Sequence, residues 1–327
     1  MNYSLIEVKN LKKQFRVPLK KDGFTASLIS LFNRTYKEVK AVDDISFSIE
    51  QGEMVGFLGP NGAGKTTTLK MLSGILHQSE GEISVLGFRP QDRKTDFQKQ
   101  ISLVMGQKSQ LWWDLPATDS FLLQKDIYKV PTPQYNEILS ELVELLDVKE
   151  ILSTQVRKLS LGQRMKCELI MSLLYQPKVL FLDEPTIGLD IVVQKKLRSF
   201  FKEYNKRFQT TIILTSHYMD DVKEICNRVV MIDHGHKIYD GAISALISEY
   251  AKDKYLRVDF EKTVKKSELE KIGSILEFDG LKATIVVPRE IHAKKAADLL
   301  SAFPVQNLDI QEVELEDVIL KYFTKTQ

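Results

Sequence analysis

The sequence lacks most of what would make it a secreted, membrane-spanning or repetitive chain. It holds only two cysteines, Cys167 and Cys226, in 327 residues. That is no disulfide framework, the spacing is not that of a metal site, and the pair fits a reducing compartment. No run approaches the roughly 18 consecutive apolar residues of a bilayer span, and Met1 to Gln14 has no secretory apolar core. The chain is therefore expected to be cytosolic and non-spanning. Charge of one sign is missing too: 46 basic against 44 acidic residues leave a net +2, which predicts no nucleic-acid or acidic partner. Internal repeats and low-complexity segments are absent.

What is present is an ordinary globular composition, 43% hydrophobic and 28% charged, which excludes collagen-like and wholly disordered classes. At about 100 to 200 residues per domain the length suggests two domains or one enlarged one. The charge is uneven, since residues 1–40 hold nine bases against three acids. Within that stretch Phe24, Leu28, Leu31 and Phe32 recur at near-helical spacing between Lys20-Lys21 and Arg34, Lys37 and Lys40. An insertion over about 16–40 thus reads as a short basic amphipathic helix, suited to a membrane surface, a membrane partner or its own sheet.

Strand signals follow. Ile45, Phe47 and Ile49 alternate, and Glu53 to Leu58 runs extended after a Gln51-Gly52 turn. Buried strands are expected at Ile101 to Met105, Val179 to Asp183, Thr211 to Thr215 and Val229 to Ile232, with helical segments between them, which implies an α/β sheet. From Ala117 to about residue 176 the pattern is helical, broken at Pro131 and Pro133, and reads as an inserted helical subdomain. Beyond Gly241 the order becomes strand, helix, two strands, helix, strand, with a last helix at Val313 to Leu320. That order suggests a small α+β, ferredoxin-like domain over about 254–327, set against a first domain of about 1–241.

Three motifs carry chemistry. Gly59-Pro60-Asn61-Gly62-Ala63-Gly64-Lys65-Thr66 follows a strand and precedes a helix, with Thr67 next. Its glycines turn backbone N–H groups toward phosphate oxygens, the helix directs its positive end there, Lys65 adds charge, and Thr66 is placed to ligate Mg²⁺. Val179 to Leu182 is an apolar strand ending in Asp183 and Glu184, where the first acid suits the Mg²⁺ shell and the second an attacking water. Leu159-Ser160-Leu161-Gly162-Gln163 opens a helix with Ser160 as N-cap, another dipole end able to face phosphate.

Together these residues resemble the ATP-binding subunits of ATP-binding cassette (ABC) transporters, over about Leu5 to Gly241. The resemblance implies an ATPase with ATP and Mg²⁺ as ligands. Phe15 is similar to the aromatic that stacks on adenine, with core packing as the alternative. Gln107 resembles the Q-loop glutamine that reaches Mg²⁺ and water, Asp190 the D-loop residue at a dimer interface, and His217 the switch histidine at the γ-phosphate. It also implies head-to-tail pairing of two copies, identical or not. The P-loop of one and Ser160, Gly162 and Gln163 of the other then enclose one ATP. Separate membrane permease subunits would hold the chain peripherally at the cytoplasmic face of the inner membrane. Pro60 to Thr68 and the terminal Val313 to Leu320 resemble the bacterial drug-, lipid- and polysaccharide-export branch. There Glu314 and Ile319 depart from the usual residues. An importer ATPase would share every motif through His217, and a non-transport ATPase acting on ribosomes or DNA would usually carry a second cassette or a coiled coil. Adjacent Trp112 and Trp113, beside Gln107, are candidate anchors for a permease helix or packing residues of the helical subdomain.

Overall fold

The computed structural model describes residues 4–18, 36–250, 252–312 and 315–325. The chain falls into two compact units, Met1–Asp240 and Gly241–Gln327. In chain order the strands of the first are β1 (Ser4–Pro18), β2 (Tyr36–Glu50), β3 (Met54–Leu58), β4 (Glu80–Val85), β5 (Ile101–Met105), β6 (Val179–Asp183), β7 (Thr211–Thr215) and β8 (Arg228–Asp233), with β9 (His236–Ala242) last. Its helices are α1 (Lys65–Leu72), α2 (Thr95–Gln98), α3 (Ala117–Tyr128), α4 (Thr132–Leu146), α5 (Leu161–Leu173), α6 (Ile191–Phe208) and α7 (Met219–Ile225).

The uninterrupted apolar runs become the centre of a six-stranded sheet in the order β5-β6-β7-β3-β8-β9. Pairing is parallel from β5 through β8. Val179 to Leu182 and Thr211 to Thr215 are buried on both faces, as strands covered by helices on either side must be. The loops that leave the carboxyl ends of β3, β5, β6 and β7 carry Lys65, Gln107, Glu184 and His217. Ligands of open α/β sheets bind at such strand ends.

A second, antiparallel sheet has the order β2-β1-β4. β1 and β4 are hard to see in the sequence because their alternation is broken: the β1–β2 register shifts four times between Ser4 and Gln14. The expected helix at 16–40 needs correction. Residues 16–18 and 36–40 extend β1 and β2 as a paired antiparallel arm, Pro18 opposite Tyr36. Phe24, Leu28, Leu31, Phe32 and the basic residues Lys20, Lys21 and Arg34 lie outside the described residues.

In the helical segment, Pro133 sits in the first turn of α4, where its missing N–H costs nothing. Tyr135, Ile138, Leu142 and Leu146 form the buried stripe of that helix.

The second unit contains α8 (Ile243–Tyr250), β10 (Asp253–Phe260), α9 (Lys266–Leu269), β11 (Ser274–Phe278), β12 (Lys282–Pro288), α10 (His292–Ala302), β13 (Val305–Glu312) and α11 (Leu315–Lys325). Its sheet order is β11-β12-β10-β13, with antiparallel neighbours throughout. This is the ferredoxin-like arrangement. Leu256, Val258 and Phe260 alternate toward one face and meet Ile285, Val287, Leu269 and Leu299 in a separate core. Among the described residues no helix is long and apolar enough to cross a membrane.

Candidate functional site

The loop after β3 turns sharply into α1. Gly64 is the N-cap in a left-handed conformation, φ 107°, and a Cβ there would lie 2.4 Å from the Ala41 carbonyl oxygen. Only glycine meets both demands. Pro60, Asn61 and Gly62 are exposed at the loop tip, whereas Ala63, Gly64 and Lys65 are buried. Lys65 folds back, and its Nζ donates to the carbonyls of Gly59 (2.6 Å) and Pro60 (3.1 Å). Burial pulls its pKa below the usual lysine value, against the opposing field of Glu184 and Asp183. The loop thus keeps a partly desolvated ammonium inside a ring of backbone groups. Thr67 follows in the first turn of α1.

The acids at the end of β6 meet this loop from the neighbouring strand. Asp183 Oδ1 accepts from Thr66 Oγ1 at 3.0 Å and from Thr215 Oγ1 at 2.8 Å, which joins the ends of β6 and β7 and the start of α1 at one carboxylate. Glu184 takes a left-handed conformation, φ 55°. For a non-glycine residue that costs about 1–3 kcal/mol, and such strain gathers at functional sites. The Glu184 N–H donates to the carbonyl oxygen of Thr215 and to its Oγ1, each at 3.0 Å. Its side chain lies between two partners: His217 Nε2 at 2.8 Å from Oε1 and Gln107 Nε2 at 3.4 Å from Oε2. Gly106 makes this possible, because a Cβ there would lie 2.0 Å from the Glu184 carbonyl oxygen.

Lys65, Thr66, Asp183, Glu184, Gln107 and His217 are therefore one cluster. The remaining candidates lie elsewhere. Ser160 caps α5: its Oγ accepts from the Gln163 N–H at 3.2 Å, and Gln163 Oε1 accepts from the Ser160 N–H at 2.9 Å. Gly162 faces Val193, whose methyls would lie 3.2 Å from a Cβ. Asp190 caps α6 by accepting from the Val193 N–H at 3.0 Å, and Ile191 and Val192 beside it are exposed. Among the described residues no hydrogen bond joins Ser160, Gly162, Gln163 or Asp190 to residues 59–67. Phe15 lies on β1 and is 36% exposed, with Lys13 Nζ 5.1 Å from its ring centre. It is not a core residue.

Two groups escaped sequence reasoning. Asp221 in α7 is fully buried and accepts from Thr186 Oγ1 (2.5 Å), Ser216 Oγ (2.7 Å) and Arg198 Nε (2.8 Å). It ties the loop after Glu184 to the residue before His217. Glu168 in α5 is also buried and accepts from residues just beyond Gln107. Burial pushes its carboxyl above the usual glutamate range, opposed by those hydrogen bonds and by Arg164. The available signal was a charge set among helix residues that are otherwise buried and apolar, Cys167, Leu169 and Ile170. Trp112 and Trp113 are 48% and 50% exposed, and the Arg164 guanidinium lies 4.4 Å from the Trp113 ring centre. His234 and His236 are exposed in and after the β8–β9 turn. Cys167 and Cys226 are free and buried, and burial pushes the Cys167 thiol up to about 12.

A phosphate loop on a parallel sheet, faced by an Asp-Glu pair, a glutamine and a histidine from adjacent strand ends, defines a nucleotide-hydrolysing P-loop site. Residues 42–187 match the ABC transporter family, and residues 252–311 match the EvrA-like ABC transporter C-terminal domain. The chain is 34% identical over 223 residues to the ABC transporter ATP-binding protein NatA of Bacillus subtilis (strain 168), covering 68% of this chain and 90% of that one. It is 32% identical to the Nod factor export ATP-binding protein I of Paraburkholderia xenovorans (strain LB400), covering 88% and 93%. It spans 38% of the length of the probable multidrug ABC transporter ATP-binding protein YbhF of Escherichia coli (strain K12), at 32% identity. A solved dimeric ATP-binding cassette in a post-hydrolysis state, bound to ADP and Pi, superposes with a TM-score of 0.60 at 20% identity, over 72% of this chain and 98% of that one. The chain belongs to the family of ABC transporter ATP-binding proteins, which are ATPases.

Proposed function

We propose that the chain binds and hydrolyses ATP at a composite site between two cassettes and so drives export through separate membrane subunits at the cytoplasmic face of the inner membrane. The observation that carries this reading is Glu184, held between His217 and Gln107 and next to the Asp183–Thr66 contact. Glu184 orients the attacking water, and His217 fixes the carboxylate and reaches the γ-phosphate. Lys65 exchanges its loop carbonyls for phosphate oxygens. Glycine-loop N–H groups and the start of α1 offset the remaining charge. The hydroxyl of Thr66, the carboxylate of Asp183 and the amide oxygen of Gln107 are hard oxygen donors, a set that fits Mg²⁺. Held by these residues, such an ion would offset the charge of the phosphate groups.

Among the described residues Ser160, Gly162, Gln163 and Asp190 make no hydrogen bond to the loop of their own chain, which supports their acting on the ATP of a second cassette. Phe15, exposed on β1, stacks on the adenine. Trp112 and Trp113, a few residues after Gln107, and Leu122 and Ile127 of α3 are exposed and suit a cytoplasmic helix of a membrane subunit. The C-terminal unit serves the pairing of cassettes or contact with the permease. Export is favoured over import by relatives named for Nod factor export and for linearmycin resistance.

Co-expression with membrane proteins encoded beside it tests the assignment. We expect a stable complex whose ATPase rate rises in lipid. Failure to co-purify, with a rate stimulated instead by ribosomes or DNA, contradicts it. A second expectation concerns geometry. Gly106→Ala displaces Glu184 and lowers turnover by as much as about 10²-fold, the cost of a misplacement near 1 Å, while binding of a fluorescent ATP analogue is retained. Unchanged turnover would remove Gly106 from this role.

A further inference from the structure

Glu168 has no part in the mechanism above, yet it is a carboxylate only 4% exposed. Among the described residues, its hydrogen bonds go to one oxygen and one segment. Oε1 accepts from Ser109 Oγ, from the Gln110 N–H at 2.7 Å and from the Leu111 N–H at 3.2 Å. These three residues leave the loop of Gln107, whose amide is 3.4 Å from Glu184. Glu168 itself sits in α5, two turns beyond Ser160. The same segment is fastened to the helical region at further points. The Arg164 guanidinium lies over Trp113, the Trp112 N–H donates to Ser120 Oγ at 3.1 Å, and Arg157 Nη1 lies 3.1 Å from Asp114 Oδ1.

We infer that Glu168 is a positioning residue for hydrolysis: it binds the segment after Gln107 to the helix capped by Ser160, so that the two move as one body. This rests on the function proposed above. A buried carboxylate is costly unless hydrogen bonds compensate it, and three donors from one loop converge on Oε1. The N–H of buried Leu111 in turn needs an acceptor. Without Glu168 the hydroxyl of Ser109 and two backbone N–H groups are left unpaired, and the loop is free to find water instead. Gln107 then loses its fixed approach to Glu184. Lys65 and the rest of the P-loop make no contact with Glu168, so ATP binding is untouched.

The two tryptophans of the chain both lie on the fastened segment, so acrylamide quenching of intrinsic fluorescence reads its order without reference to activity. In the full-length protein, Glu168→Ala should raise the quenching constant at least about twofold as local order is lost. It should lower kcat about tenfold with KM for ATP changed less than about twofold. Glu168→Gln retains a carbonyl oxygen in the same place and should restore both readouts. Ser109→Ala removes one donor and moves both in the direction of the alanine variant by less, which keeps the test available if Glu168→Ala does not fold. Wild-type quenching and kcat in the alanine and Ser109 variants overturn the inference. Raised quenching with unchanged kcat overturns it as well, because the segment would then be loosened without consequence. If the wild type itself hydrolyses no ATP, the proposed function fails, while the quenching contrast still reports whether Glu168 orders the segment.

Discussion

Glu184→Gln should bind ATP as the wild type does and turn it over about 10²- to 10⁴-fold more slowly, the range supplied by a positioned general base. The amide keeps the shape of the side chain and its contacts with His217 and Gln107, so the P-loop and the Asp183–Thr66 contact are undisturbed. What is lost is an acceptor able to hold and deprotonate water. Because ATP then persists, the closed pair of cassettes should persist too. Size-exclusion chromatography with MgATP is expected to give dimers for the variant, and monomers or exchanging species for the wild type. Hydrolysis at the wild-type rate would remove Glu184 from its role.

Asp221→Ala should have the largest effect on stability. Asp221 is fully buried, and its two oxygens accept from Thr186, Ser216 and Arg198. Removing it leaves the buried guanidinium with Glu224 at 2.6 Å and Gln194 at 3.4 Å. Glu224 is itself partly exposed. Breaking a buried pair in this way costs about 3–5 kcal/mol, and for a unit of this size that is a fall in Tm of roughly 10 °C. Asp221→Asn retains one acceptor oxygen and should fall by less. A Tm for the alanine variant within about 2 °C of the wild type would show that the network does not hold the loop ends together.

Where one interaction dominates locally, the sequence was readable. β5, β6 and β7 are apolar runs flanked by turn residues, so their limits follow from burial alone. The phosphate loop is legible because its glycines, lysine and threonine serve one local purpose at fixed spacing. The strand and helix order after Gly241 foretold the ferredoxin-like sheet, whose core Leu256, Val258 and Phe260 enter at alternate positions. β1 and β4 were missed because bulges and exposed charges interrupt their alternation. The helix expected over 16–40 gave way at both ends to strands, where Arg16 to Pro18 pair with Tyr36 to Glu38. Near-helical spacing in the middle said nothing of the ends. At the site, the contacts of Glu168 and Asp221 were invisible for a different reason. Their partners lie 5 to 59 residues away along the chain, and only the fold brings them together. Phe15 was ambiguous until burial decided between a core and an exposed aromatic.

The central claim is that each ATP is enclosed by Lys65 of one chain and Ser160 of another, and mixing two inactive variants tests it most directly. Lys65→Ala lacks the ammonium proposed to bind phosphate, and Ser160→Arg blocks the helix start proposed to face the partner's nucleotide. A dimer of one with the other contains one site in which both elements are intact. The mixture should therefore regain about a quarter of wild-type ATPase activity, as expected for random pairing in a two-fold dimer. A mixture as inactive as its components would contradict a shared site.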